Sequence, residues 1–180
     1  MKAKDPESLL AQVEETKRPP VQDWHPELSG DIDIRIARNG TWFHEGTPIE
    51  RNRLVKLFAT ILRREGDEYF LVTPVEKWRI QVDDAPFVVT HLSILGEGKS
   101  QQLLMATNVD DKVVVDSEHA IQVKTDPQTE EPSPYVHVRD QLYALINRNV
   151  YYELVASARE EEGQIGIDSC GTFFPMGSAE

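Results

Sequence analysis

Apolar and polar residues alternate most clearly in the run DIDIRIAR, which begins at residue 31. Isoleucine occupies every second position of this run, which is the period of a half-buried β-strand. Asn39-Gly40 follows, and this dipeptide is a strong signal for a tight hairpin turn. The pattern therefore predicts a β-hairpin over residues 31–44.

A helical pattern follows in TPIERNRLVKLFATILRREG. Thr47 is a good capping residue, Pro48 fits a first turn, and Glu50 stands three residues after Thr47, as a capping box requires. Apolar residues then recur on one side of a helix, and Gly66 is a typical stop signal. We predict one long helix that ends near Gly66.

Most of the remaining chain shows the shorter patterns of strands and turns. The N-terminal run DPESLLAQVEETK predicts a short helix to about Lys17, and DPQTEEPSP predicts a loop. The other apolar runs predict strands, with an antiparallel meander in the middle of the chain. These runs are EYFLVT, KWRIQV, FVVTHLSIL, QLLMATN, KVVVD and AIQVK.

Two segments resemble each other, LFATILRREGDEYFLV at 57–72 and LYALINRNVYYELV at 142–155. Each follows a capping residue and a proline, Thr47-Pro48 in one case and Ser133-Pro134 in the other. We interpret them as helix-then-strand repeats, which predicts two similar α+β units, each a curved antiparallel sheet with one packed helix. A cleft between such units would be the default ligand site. The alternative is that any amphipathic helix before a buried strand looks alike.

Charge narrows the choice of ligand. The net charge of -12 disfavours nucleic acids and anionic membranes as partners. Residues 31–82 carry nine basic and eight acidic side chains, whereas residues 110–180 carry five and fourteen. We therefore expect the first half of the chain to tolerate an anion.

The sequence shows few patterns that indicate a cellular location or a cofactor. The chain shows no signal-peptide pattern and no apolar run of membrane-spanning length, so a cytoplasmic location is expected. Cys170 is the only cysteine, which excludes an internal disulfide. The five histidines lack metal-binding spacing, and GEGKS at 96–100 lacks the spacing of a phosphate loop. We predict no metal and no cofactor.

The runs GTWFHEGTPIER, LFATILRRE and YFLVTPVEK carry a resemblance to a bacterial family, known as domain of unknown function 1285. The resemblance covers roughly residues 25–176. It implies two repeated units, the C-terminal one pleckstrin-homology-like, with a nucleotide-like ligand at their interface and a role in signal transduction. The implied division is an N-terminal helix and linker over 1–24, units over 25–88 and 89–176, and a tail over 177–180.

The run LVTPVEKW, residues 71–78, raises the question of a corner or an active site. Pro74 cannot donate to a strand ladder, so we predict that the chain turns there between two strands. Trp78 is expected in the core. Glu76 falls on the same side as Trp78, where a carboxylate most often pairs with an arginine, although a ligand or catalytic contact is the alternative. Lys77 is expected on the outward face.

Basic residues of the predicted long helix supply the candidate anion site. Arg53, Lys56 and Arg63 fall on one side of that helix and Arg64 flanks them, either as a solvated face or as a phosphate clamp. Trp42 would stack on a base or lie in the core. Asn108 lies in the segment TNVDD, which is predicted to be a turn. An Asx turn is the favoured interpretation of this segment, and cation binding is the alternative. The candidate ligand-binding residues are Arg63, Arg64, Glu76, Lys77, Arg53, Lys56, Trp42 and Asn108.

These observations predict a sensing module for a small anionic, nucleotide-like ligand, with a protein partner in signalling. No catalytic residue is identified, and a binding protein is favoured over an enzyme. One alternative is an enzyme acting on a phosphorylated small molecule, with Glu76 as general base. Another is a protein-protein adaptor that uses the acidic second half.

Overall fold

A computed structural model of the chain describes residues 18–180 and divides it into two compact units, Met1–Asp84 and Ala85–Glu180. The helix predicted to end near Lys17 lies outside the described residues. The expected boundary at residue 88 falls inside a strand that begins at Phe87. Over residues 18–180 each unit contains a six-stranded sheet and one α-helix, so the predicted α+β class with two similar units is confirmed.

The described part of the first unit begins with a 3₁₀ turn at Val21–Asp23. Its sheet has the strand order β3-β2-β1-β6-β5-β4, in which only β1 and β6 are parallel. The elements are β1 (Leu28–Ile36), β2 (Trp42–His44), β3 (Thr47–Pro48), α1 (Asn52–Thr60), β4 (Leu62–Glu65), β5 (Glu68–Val72) and β6 (Lys77–Val82).

The predicted first hairpin is confirmed, with β1 and β2 paired antiparallel. Its turn is closed by the Ala37 N–H, which donates to the Thr41 carbonyl, and by the Asn39 side chain, which accepts from the Thr41 N–H. The alternating isoleucines of β1 are buried, as their period requires. They share the core with Trp42, whose ring stacks on Phe58 at 6.1 Å between centroids.

The predicted long helix is wrong at both ends. Thr47 and Pro48 form β3, which pairs with β2, so no capping box forms and α1 starts only at Asn52. At the other end, the Ile61 N–H bonds to the Phe58 carbonyl and closes a tight last turn. The next residues form β4, because pairing with β5 satisfies their backbone groups and buries Leu62.

The second unit contains two sheets, one of six strands in the order β10-β11-β12-β7-β8-β9 and one of three in the order β13-β14-β15. In the larger sheet only β12 and β7 are parallel. A 3₁₀ turn at Gly98–Ser100 precedes β8. The elements are β7 (Phe87–Leu95), β8 (Gln102–Thr107), β9 (Lys112–Val114), β10 (Ile121–Thr125), β11 (Pro132–Arg139), β12 (Leu142–Ile146), α2 (Arg148–Ala156), β13 (Arg159–Glu161), β14 (Gln164–Ser169) and β15 (Thr172–Ser178).

The predicted strands at β7 to β10 are confirmed, but the proposed alignment of the repeats is wrong. LYALI, which was matched to the helical LFATI, forms strand β12, and Ser133-Pro134 lies within β11 instead of capping a helix. The helix α2 follows β12. The segment NRNVYYELV contains its N-cap and most of its residues, whereas LYALIN does not. The predicted loop DPQTEEPSP likewise shortens to a turn closed between Asp126 and Glu131.

Candidate functional site

The run LVTPVEKW forms the turn between the antiparallel strands β5 and β6, so the predicted corner at Pro74 is confirmed. The Thr73 N–H donates to the Glu76 carbonyl at 2.8 Å, and the Thr73 hydroxyl accepts from the Glu76 N–H at 3.0 Å. Trp78 is buried, as expected from its phase with Ile80. The turn is therefore fixed by local hydrogen bonds around Thr73.

Glu76 lies on the apolar side of this turn, as its phase predicts, and only 5% of its surface is exposed. A carboxylate at that depth is not presented on an open surface. Its position favours a structural role, because a general base must reach a substrate proton within hydrogen-bond distance.

Arg63 does not belong to the predicted cluster of basic residues on the helix, because it lies on strand β4 and is buried. One of its terminal nitrogens donates to the backbone carbonyls of Val21 and Trp24, and the other donates to the Glu65 carboxylate at 2.8 Å. The guanidinium group thus fastens residues 21–24 to the sheet. A side chain occupied in this way is not available as an outward phosphate clamp.

Lys77 and Arg64 also lie on strands and contact neighbouring side chains. The Lys77 ammonium is 2.8 Å from the Glu65 carboxylate and 4.5 Å from the centre of the Phe70 ring. The hydrogen bond from Lys77, together with the charges of Lys77 and Arg63, lowers the pKa of Glu65. The Arg64 guanidinium lies over the Tyr69 ring and donates to a backbone carbonyl. The charges on this part of the sheet are therefore largely matched within the unit.

Two further candidates, Trp42 and Asn108, make contacts that stabilise the fold. Trp42 is 1% exposed and packs in the core, so its ring is not accessible for stacking on a base. Asn108 belongs to the second unit, where its side-chain oxygen accepts from the Val88 N–H at 3.0 Å. That bond ties the turn after β8 to strand β7.

Arg53 and Lys56 are the candidates that α1 does carry, Arg53 exposed and Lys56 half-buried. The N-terminal end of the same helix borders an open groove of about 430 Å³. We call it the α1 groove, and the residues that line it are Thr47, Pro48, Ile49, Glu50, Arg51 and Leu54.

The backbone at the start of α1 favours an anion at the α1 groove, whereas the carboxylate of Glu50 in the lining opposes one. The first turn of α1 contains no acidic residue, and within residues 18–180 no side-chain bond caps it at Arg51. The amide groups of an uncapped first turn carry a partial positive charge that attracts anions. Helix α2 differs, because the Asn147 side chain accepts from the Val150 N–H at 2.9 Å and caps it.

Sequence reasoning missed the α1 groove because Thr47 and Glu50 matched a capping box. The signal that could have revealed it is the proline-containing segment Thr47-Pro48-Ile49 directly after a hairpin, where a third strand can pair. That strand moves the helix start to Asn52 and leaves residues 49–51 as a lining for the groove.

Family models for the N-terminal and C-terminal domains of domain of unknown function DUF1285 match residues 19–85 and 86–176. The chain belongs to the DUF1285 family. A crystal structure of a DUF1285 family protein from Silicibacter pomeroyi DSS-3 is 47% identical, with 98% of this chain and 97% of that chain covered and a TM-score of 0.92. Another, from Shewanella baltica OS155, is 32% identical, with 69% and 91% covered and a TM-score of 0.54. No curated protein matches the chain.

The α1 groove, Arg53 and Lys56 all belong to the N-terminal DUF1285 domain. Over residues 18–180, none of the helices is long and apolar enough to cross a membrane. In the same part of this DUF1285 protein, no group of three or more His, Cys, Asp or Glu side chains is arranged to hold a metal ion.

Proposed function

We propose that this DUF1285 protein binds a small anionic, nucleotide-like ligand at the α1 groove and works as a sensing module in regulation. The observation that carries the proposal is an open groove at a helix N-terminus without a side-chain cap; Arg51 lines this groove, and Arg53 and Lys56 lie on the same helix. Phosphate groups bind at such helix ends because backbone N–H groups and the helix dipole both favour negative charge.

The size and lining of the α1 groove fit a nucleotide better than a bare inorganic anion. Ligand pockets typically span about 300 to 1,000 Å³, and this groove has about 430 Å³. Pro48, Ile49 and Leu54 offer apolar surface for a base or a similar ring. Glu50 would repel a bare phosphate, but its carboxylate can accept hydrogen bonds from the hydroxyl or amino groups of a nucleoside.

A binding role is favoured over the enzymatic alternative. That alternative needs Glu76 as a general base, whereas Glu76 is buried in the β5–β6 turn. Ligand-dependent regulation requires only that the ligand bind one conformation of the protein better than another. The adaptor alternative would leave the α1 groove without a small-molecule ligand, and the experiment below distinguishes it.

The test is thermal unfolding with nucleoside mono-, di- and triphosphates and with inorganic phosphate, at low salt. A ligand at about 100 times its dissociation constant stabilises the folded state by about 2.7 kcal/mol, a shift that is easily measured. We expect at least one nucleotide to raise the melting temperature and to do so more than inorganic phosphate. No shift with any nucleotide would contradict the proposal and favour the adaptor.

Variants test whether the ligand binds at the α1 groove. The double substitution Arg53→Ala and Lys56→Ala is expected to weaken nucleotide binding at least tenfold in isothermal titration, with little change in stability without ligand. Arg148→Ala is the matched control, because Arg148 is an exposed arginine at the start of α2, which Asn147 caps. Equal weakening by the control would mean that nucleotide binding depends on general charge and not on this groove.

A further inference from the structure

His119 and His137 lie side by side at one end of the β10–β11 hairpin in the second unit. Their rings stack with 5.3 Å between centroids, and their two Nδ1 atoms are 3.3 Å apart. Both side chains are half-exposed, so solvent and dissolved ions can reach them. Eighteen residues separate the two histidines along the chain, which is why no spacing pattern in the sequence indicated the pair.

The hydrogen bonds of His137 fix which of its two ring nitrogens carries the proton. Its Nε2 lies within hydrogen-bond distance of the Asp140 carbonyl, and a carbonyl can only accept, so Nε2 carries the proton. The neutral ring then has its lone pair on Nδ1, which in the metal-free protein accepts from the His119 Nδ1 at 3.3 Å and would be taken over by the ion. An imidazole held by such a bond from its other nitrogen is the usual arrangement of a metal-binding histidine.

His119 is held in place by a local turn. The Asp116 carboxylate accepts from the N–H groups of Glu118 and His119 at 2.9 and 2.8 Å, and the Asp116 N–H donates to the His119 carbonyl. The edge of the Tyr143 ring packs against His137 from the neighbouring strand. Both imidazoles therefore have positions set by the backbone before any ion arrives.

We propose that His119 and His137 form a binding site for a divalent transition-metal ion of the class that takes imidazole ligands, such as Zn²⁺ or Cu²⁺. Zinc–imidazole bonds of about 2.0 to 2.1 Å at a tetrahedral angle place two nitrogens about 3.3 to 3.4 Å apart, which agrees with the separation of the two Nδ1 atoms. The protein supplies two ligands and water molecules supply the rest.

Binding requires a change of tautomer at His119. Its Nδ1 is 3.2 Å from the His137 carbonyl, so in the metal-free protein this nitrogen carries the proton and donates. On binding, that proton moves through solvent to Nε2 of the same ring, and the freed Nδ1 lone pair coordinates the ion. The net negative charge of residues 110–180, which carry fourteen acidic and five basic side chains, attracts cations to this part of the chain at long range.

Isothermal titration of the tag-free protein with ZnCl₂ tests the site, without any nucleotide present. We expect one ion per chain, and at least tenfold weaker binding in His119→Ala and in His137→Gln. The glutamine keeps an N–H that can donate to the Asp140 carbonyl, so this variant separates loss of metal binding from loss of folding. His91→Ala is the matched control, because His91 is an exposed histidine on β7 of the same unit.

A binding isotherm that His91→Ala weakens as much as His119→Ala would show adsorption to surface histidines and would overturn the proposal. Absence of one-to-one binding in the unsubstituted protein would also overturn it. Circular dichroism with a chelator checks that each variant is folded, and a variant that fails this check is replaced by His119→Gln. Co²⁺ provides a second readout, since tetrahedral coordination by the two imidazoles gives a visible absorption band that the His119 and His137 variants should lose.

Discussion

The guanidinium group of Arg63 makes its hydrogen bonds almost out of contact with water. It is 5% exposed, and it bonds to the Val21 and Trp24 carbonyls and to Glu65. These two carbonyls lie 42 and 39 residues away and belong to the backbone. Every residue type has a backbone carbonyl, so the sequence gives no sign of which carbonyls Arg63 binds. The sequence could therefore indicate Arg63 as a candidate site residue, but it could not indicate that Arg63 is buried.

Arg63→Ala is expected to destabilise the protein by at least about 2 kcal/mol, because it removes the buried hydrogen bonds of a charged group, each worth about 1.5 to 3 kcal/mol. Denaturant unfolding followed by tryptophan fluorescence measures the change. Arg64→Ala is the control, since Arg64 is its half-exposed neighbour and its ring contact, its solvent-exposed hydrogen bond and its long ion pair are each worth about 1 kcal/mol or less. Similar losses in both variants would argue against a special role for the Val21 and Trp24 contacts.

Trp42 gives a second residue-scale test, because its indole N–H is buried without a hydrogen-bond partner among the described residues. Trp42→Ala should cost about 3 to 5 kcal/mol, as expected for loss of a buried aromatic ring. Trp42→Phe should cost less than about 2 kcal/mol, since phenylalanine keeps the stacking on Phe58 and removes the unpaired donor. Equal costs measured by chemical unfolding would mean that the N–H has a partner.

At the scale of elements, both units place a nine-residue helix before a short strand with the same ion pair. Arg63 comes three residues after α1 ends and pairs with Glu65, while Arg159 comes three residues after α2 ends and pairs with Glu161. The sequence predicts the repeat but in the wrong alignment, because the similar residue types of LFATI and LYALI match part of helix α1 with strand β12. Burial alternates along β12, but all five of its residues are apolar, so the sequence itself showed no period that separates a strand from a helix here.

The β13–β14 pair predicts a pH dependence. Hydrogen bonds from Arg159 lower the pKa of Asp168 below its ordinary value of 3.8. Since the pKa in the folded state lies below that in the unfolded state, the stabilisation is present above about pH 4 and is lost as the pH falls further. Asp168→Asn should therefore melt at a lower temperature at neutral pH and lose less stability between about pH 5 and pH 3.

Thermal unfolding at a series of pH values, followed by circular dichroism, checks this prediction. Glu65 remains in the Asp168→Asn variant, and its own lowered pKa will preserve part of the acid sensitivity. The informative quantity is thus the difference between the two melting curves as a function of pH. A difference that does not change with pH would show that the Arg159–Asp168 pair does not contribute through its charge.

At the scale of the whole molecule, charge and tryptophan are unevenly shared between the units. Residues 1–84 carry thirteen basic and sixteen acidic side chains, and residues 85–180 carry six and fifteen, so the second unit holds a net charge of -9 out of -12. All three tryptophans lie in the first unit. Fluorescence therefore reports on the first unit alone, whereas far-ultraviolet circular dichroism reports on both.

Each unit has a complete sheet with its own core, so we expect the two signals to give different melting temperatures. Raising the salt concentration from about 0.01 M to 0.15 M shortens the screening length from about 30 Å to 8 Å and weakens repulsion within the acidic second unit. The circular dichroism transition should move to higher temperature by more than the fluorescence transition does. Coincident transitions at both salt concentrations would instead show that the chain unfolds as one cooperative body.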